Sequence, residues 1–130
     1  MAEGSRPTRG AAAGAKWSYS VLYDFCSKGG ADCTDGVSPY ANAIIDAKGN
    51  LYGTANQGGI DDHGVLYQLV FHKTKGTYTE RTLYKFCSQT GCADGDSVSA
   101  GVVMDRAGNL FGSTQFGGSY GGVIYELVND

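Results

Sequence analysis

The stretch Asp35–Gly59, DGVSPYANAIIDAKGNLYGTANQGG, decides the fold, because it returns as Asp94–Gly118, DGDSVSAGVVMDRAGNLFGSTQFGG. The two align without gaps over 25 positions and agree at 11 of them. The shared frame is D-G-x-S, an Ala, an Asp, then G-N-L-[YF]-G-[TS] and a closing G-G. The match extends outward on both sides. Leu22–Ser27 (LYDFCS) returns as Leu83–Ser88 (LYKFCS), and Gly64–Val70 (GVLYQLV) as Gly122–Val128 (GVIYELV). A period of about 59 residues with length changes confined to loops marks stacked structural repeats. Repeat 1 runs over about residues 17–76 and repeat 2 over about 77–130, behind an expected disordered tail at 1–16.

Each unit reads as four short strands. The first is Tyr40 to Asp46, or Ala100 to Asp105, an almost continuous apolar run suited to burial on both faces. A Gly-Asn turn follows, since both residues tolerate the positive φ of tight hairpins. The second strand is Leu51 to Ala55, or Leu110 to Thr114, and its central Gly53 or Gly112 suggests close backbone approach. The third alternates Val65, Tyr67, Leu69 and Phe71 against Leu66, Gln68, Val70 and His72. The fourth runs from Tyr78 to Phe86. No segment has a 3.6-residue apolar period of helical length. Repeated four-stranded antiparallel units predict an all-β chain of β-propeller blades. A closed sandwich or barrel from the same strands is the competing all-β architecture.

Composition agrees with short strands and many turns: 21 Gly, 9 Tyr, 5 Phe, and only 18% charged residues. The net charge of −3 lacks the basic footprint of a nucleic-acid binder. No run of 18 apolar residues is present, so no membrane-spanning helix is expected. Residues 1–15 have no apolar signal-peptide core. Cys26, Cys33, Cys87 and Cys92 fall as two local pairs, one per repeat, with C-x6-C and C-x4-C spacings that fit neither a zinc knuckle nor a redox motif. They are read as Cys26–Cys33 and Cys87–Cys92 disulfides, each worth roughly 2 kcal/mol through loop closure. Such bonds place the chain in an oxidising compartment, secreted or at the cell surface. Four reduced thiols are the alternative.

The frame Ser38-Pro39-Tyr40, Asp46, Gly49-Asn50-Leu51-Tyr52-Gly53-Thr54, Gly58-Gly59, Gly64-Val65-Leu66-Tyr67 resembles the bacterial GloVer repeat of choice-of-anchor tandem-repeat proteins. The Leu-Tyr-x-Phe-Cys starts at Leu22 and Leu83 fit it as well. The resemblance covers about Trp17 to Val128. Its D-x-x-G-N-L-Y core is also similar to propeller repeats of the NHL type. Both comparisons imply a propeller, and the first implies export or surface attachment; neither implies a reaction. The chain departs from the family pattern in having two units with no visible anchor or signal, and Val98 and Ser99 replace Pro39 and Tyr40 in the second copy.

No catalytic frame is present: there is no H-E-x-x-H, no phosphate-binding loop, no G-x-G-x-x-G and no nucleophile elbow. No cofactor is expected. His63 and His72 have no counterparts in the second repeat and read as surface residues. Asp32, Asp35, Asp94 and Asp96 carry calcium-type oxygens but miss the calcium-loop pattern, and read as turn formers. Asp46 and Asp105 are expected to bond the hairpin backbone. Asn56, Gln57, Gln115 and Phe116, at one end of the second strands, are the candidate ligand contacts, for example with a glycan. The expected function is a non-catalytic extracellular structural or interaction module. A lectin-like propeller with one site per repeat is the alternative. A hydrolase or lyase would need a polar cluster at a ring centre, drawn from several chains.

Counting strands also gives an expectation for assembly. The chain opens on a fourth strand, Trp17 to Phe25, and closes on first, second and third strands only. Two blades are too few for a ring. Trp17–Phe25 is expected to pair with Gly122–Val128 of a neighbouring copy, closing a homo-oligomer of three or four chains. The alternative is a piece of a longer protein, whose further blades would do the same.

Overall fold

The computed structural model describes residues 16–28 and 33–130. The tail expected at 1–16 lies, apart from Lys16, outside the described residues, as does Asp32. The chain is all-β, in two antiparallel sheets. The first continues past residue 76, the end of repeat 1 as read from sequence, to Lys85, so repeat 1 and repeat 2 below denote the units built on the first and the second sheet, divided after Phe86. The first contains β1 (Ile44–Ile45), β2 (Leu51–Ala55), β3 (Val65–His72) and β4 (Thr77–Lys85), in that order. The second contains β5 (Asp96–Val98), β6 (Val103–Met104), β7 (Leu110–Phe116) and β8 (Ile124–Leu127). Here β5 and β6 pair with β7, which also pairs with β8. The registers Val98↔Thr114 and Val103↔Phe111 put β5 and β6 in series along β7, with a slip of two residues between them. Repeat 1 makes the same slip between the Val37↔Gln57 bridge and Ile44↔Tyr52. Each first strand is therefore one interrupted strand, and among the described residues the second sheet holds no counterpart of β4.

The first strands are shorter than the unbroken apolar runs suggested, and they are not buried on both faces. Ile45 is 66% and Val103 65% exposed. In repeat 2 the interruption coincides with contacts from the neighbouring repeat. The carbonyls of Val98 and Ala100 accept side-chain hydrogen bonds from Asn56 and Thr54. Gly101 meets Asn42 so closely that a Cβ would lie 2.7 Å from its carbonyl oxygen. These backbone groups serve the boundary between repeats instead of a ladder.

The expected close approach at Gly53 and Gly112 is present. Gly53 faces Tyr67 across the β2–β3 pair, and Gly112 faces Tyr125 across β7–β8. A Cβ there would fall 2.7 Å and 2.6 Å from the respective ring carbons Cζ. Each tyrosine thus lies flat over a glycine, and the hydrogen side chain makes room for the ring.

The core lies between the sheets. Leu66 and Phe86 from repeat 1 pack with Val98, Val102 and Leu110 from repeat 2. Phe86 meets Tyr125 edge-on, with ring centroids 5.2 Å apart. A sheet with one apolar face needs such a partner, and here the next repeat supplies it. The buried Glu80 of β4 is reached by Lys28, whose ammonium lies 2.7 Å from Oε1, while Oε2 accepts from Thr82 Oγ1.

Trp17–Phe25, expected as a strand, is not one, and no ladder partner lies beside it among the described residues. Trp17, Tyr19 and Val21 are 79%, 61% and 59% exposed. Only its end is anchored: the Tyr23 hydroxyl donates to Asp35 Oδ2 at 2.6 Å, and Phe25 packs edge-on against Tyr67 at 4.8 Å.

Candidate functional site

Four groups of residues singled out by sequence can be located. The first is the cysteine loops. Cys26–Cys33 and Cys87–Cys92 are both joined, with Cα atoms 4.5 Å and 4.1 Å apart, and no free cysteine is present among the described residues. All four cysteines have φ between 47° and 65°, a costly region for a side-chain-bearing residue. A carboxylate holds each loop in place. Asp35 Oδ2 accepts from Tyr23 OH and from the amides of Cys26 and Ser27. Asp94 accepts from Tyr84 OH, Ser88 N and Gln89 N. The Asp and the Tyr of L-Y-x-F-C are one device, which the sequence reading had treated as two motifs.

The second group is the Gly-Asn turn. Asp46 Oδ1 accepts from Lys48 N and Asn50 N, and Oδ2 from Asn50 Nδ2 and Tyr52 OH. Asp105 repeats the first three bonds through Ala107 and Asn109. Gly49 and Gly108 take φ of 88° and 89°; the asparagines do not. Asn50 instead ties the turn to β3 by accepting from Phe71 N, and Asn109 accepts from Asn129 N. These carboxylates bond backbone, as expected.

The electrostatics follow from these bonds. Burial pushes Asp46 and Asp94 up, but the donated hydrogen bonds outweigh it and leave both below the usual carboxylate range. Hydrogen bonds from Asn109 hold Asp105 below it too. Burial, then the carboxylate each phenol donates to, pushes Tyr23 and Tyr84 up to about 12; burial alone does so for Tyr125. Tyr52 and Tyr67 are raised as well, chiefly by burial. Unfolding releases these phenols to their ordinary value of 10.0. Stability is therefore expected to hold up to about pH 10 and to fall as pH rises towards 12. The aspartates contribute fully above their ordinary 3.8 and lose that contribution as pH falls through it. Urea midpoints across alkaline pH, read beside phenolate absorbance, check the first limb. A flat midpoint between pH 10 and 12 would contradict it.

The third group is the candidate ligand contacts. The structure does not place them equivalently. Asn56 Nδ2 donates to Val98 O at 3.1 Å, so its amide belongs to the boundary between repeats. Gln57 Oε1 lies 3.5 Å from Ser38 Oγ, with its backbone bridged to Val37. Gln115 and Phe116 are exposed, Phe116 by 55%.

The fourth group is the histidines. His72 is exposed and shares a 2.7 Å hydrogen bond with Thr79 Oγ1. His63, read as a free surface residue, is half-buried at the boundary. Its Nδ1 lies 2.7 Å from Asp96 Oδ1, and its carbonyl accepts from Ser97 N. The signal available in sequence was Asp96 itself, which replaces Val37 of the first repeat. His63 also stands beside Cys87 and Cys92, with ligand-type atoms within 4.8 Å. Joined sulfurs offer no thiolate to a metal.

Together these residues make a seam. Repeat 1 contributes Thr54, Asn56, His63 and Phe86; repeat 2 contributes the Val98 and Ala100 carbonyls, Asp96 and Tyr125. No family model, no curated protein and no solved structure matches the chain.

Proposed function

We propose that the chain is a non-catalytic extracellular module of a bacterial β-propeller, as the GloVer-type resemblance implies, and serves as an interaction surface. The observation that carries this is the seam. Thr54 Oγ1 and Asn56 Nδ2 from the end of one second strand bond the carbonyls of Ala100 and Val98 in the next first strand, at 2.9 Å and 3.1 Å. Blade-to-blade contacts of this kind let sheets stack around an axis, each covering the last. The polar side chains of the repeat frame are engaged in holding loops and turns, which favours a scaffold role over a reaction. Two closed disulfides support an oxidising compartment.

A glycan-binding propeller is the second reading, favoured by one observation. Phe116 is 55% exposed at the end of β7 and offers an aromatic face, while Gln115, also exposed, projects from the other side of the strand. With Asn56 engaged in the seam, this reading predicts one site per chain.

Export tests the first reading. Secreted behind a signal sequence, the chain should carry no titratable thiol and resist proteolysis; retained in a reducing cytoplasm, it should be readily cleaved. Four free thiols in the exported protein, with unchanged resistance, would overturn the extracellular assignment. Turnover of any substrate in a panel of chromogenic esters and glycosides would overturn the non-catalytic one.

A further inference from the structure

We infer that the unpaired edge of β8 and the exposed Trp17–Val21 segment are halves of a second seam, which another copy of this chain completes in a fixed register. This rests on the propeller reading above. The seam inside the chain is the template. Repeat 2 presents Ser113 and Gln115 where repeat 1 presents Thr54 and Asn56. Repeat 1 presents the carbonyls of Pro39 and Ala41 where repeat 2 presents those of Val98 and Ala100. Trp17–Phe25 corresponds to Tyr78–Phe86, and β8 to β3. One edge of β8 pairs with β7, and the other has no strand partner among the described residues.

The correspondence is structural as well as sequential. Phe25 on Tyr67 repeats Phe86 on Tyr125, and Tyr23 to Asp35 repeats Tyr84 to Asp94. Thus the N-terminal segment already sits on repeat 1 as the fourth strand of a preceding blade would. Among the described residues no strand lies beside it in the place that β3 takes beside β4. The side chains left open are apolar: Trp17, Tyr19 and Val21 on one side, Ile124 at 81% and Val128 at 56% exposure on the other. An unpaired apolar edge of this kind invites strand addition.

The β3–β4 ladder fixes the register. Gln68 faces Arg81 and Leu66 faces Tyr84. Carried over by the repeat, Glu126 faces Ser20 of the next copy, and Ile124 faces Tyr23. Phe86 N donates to Gly64 O within the chain, so Phe25 N donates to Gly122 O between chains. Ser113 and Gln115 then reach the Ala41 and Pro39 carbonyls across the new seam. The contact is head-to-tail and self-propagating, so a closed ring is its soluble form. Three or four chains give six or eight blades, within the usual range.

The test pairs light scattering with cysteine crosslinking in the full chain. The wild type should weigh three or four times 13.6 kDa. S20C/E126C should form covalent multimers on non-reducing gels. V21C/E126C, one residue out of register and on the opposite face, should not. Deleting residues 1–26 should leave no ring. A folded monomer at every concentration, or equal crosslinking by both cysteine pairs, would overturn the inference. Failure of the propeller-module reading shows separately, as free thiols or turnover in the export and substrate assays.

Discussion

Phe86→Ala is expected to lower the unfolding free energy by about 4 kcal/mol, near the middle of the range for buried phenylalanine truncations. Phe86 is 1% exposed and belongs to the one cluster that draws on both repeats. Its ring meets Tyr125 of repeat 2 and Tyr84 of its own repeat edge-on, at 5.2 Å and 5.3 Å. Truncation therefore opens a void where the two sheets meet, and neither can close it without moving as a body. One urea transition at a lower midpoint is the expected result, because the lost contacts belong to both repeats. Two separated transitions would show that the repeats fold independently and that the shared core contributes little. Phe25→Ala is the informative partner. Phe25 packs on Tyr67 in the same way but is only half-buried. In a monomer it should cost about 2 kcal/mol or less, since part of that surface is already wet. In a closed ring its cost should approach that of Phe86→Ala.

What was legible in sequence was whatever repeats. Strands β2, β3 and β4 follow from alternation and flanking glycines, and their bounds agree closely with the expected ones. The pairing of cysteines followed from their one-pair-per-repeat arrangement. The close approach at Gly53 and Gly112 followed from a glycine inside a strand pattern, although the tyrosine facing it was not foreseen. Relations between repeats were much less legible. Hydrophobic alternation describes a strand against its own sheet, and it is silent on where a neighbouring sheet will intrude. The apolar runs at Tyr40–Asp46 and Ala100–Asp105 therefore looked like full strands. In the fold, side chains of the preceding repeat capture the Val98 and Ala100 carbonyls. For the same reason Asn56 read as a free ligand contact and His63 as a loose loop residue. Each has its partner more than thirty positions away, in the other repeat.

The aspartates that hold the cysteine loops show how burial sets the size of an effect when the bonds are alike. Asp35→Ala is expected to cost about 3 kcal/mol, from lost hydrogen bonds to a charged, enclosed acceptor. Asp35 is 1% exposed, and Oδ2 alone receives Tyr23 OH at 2.6 Å, Cys26 N at 3.0 Å and Ser27 N at 3.4 Å. Water cannot readily take the place of a carboxylate so enclosed. Asp94 likewise receives a phenol and two amides, Tyr84 OH, Ser88 N and Gln89 N, but is only partly buried. There water can replace the lost oxygen, and Asp94→Ala should cost about half as much. Asp35→Asn should fall between, because an amide oxygen keeps the acceptor and loses the charge. A double-mutant cycle with Tyr23→Phe isolates the phenol–carboxylate bond, expected at about 1.5 kcal/mol of coupling. Urea unfolding of the oxidised protein measures all five variants, the double mutant included. Equal losses for Asp35→Ala and Asp94→Ala would mean that the first loop opens to water in solution. Because Tyr23 and Cys26 flank Phe25, Asp35→Ala should also loosen the one anchor of the N-terminal segment. If copies pair through that segment as inferred above, it should weaken the pairing more than Asp94→Ala does, even where both variants remain folded.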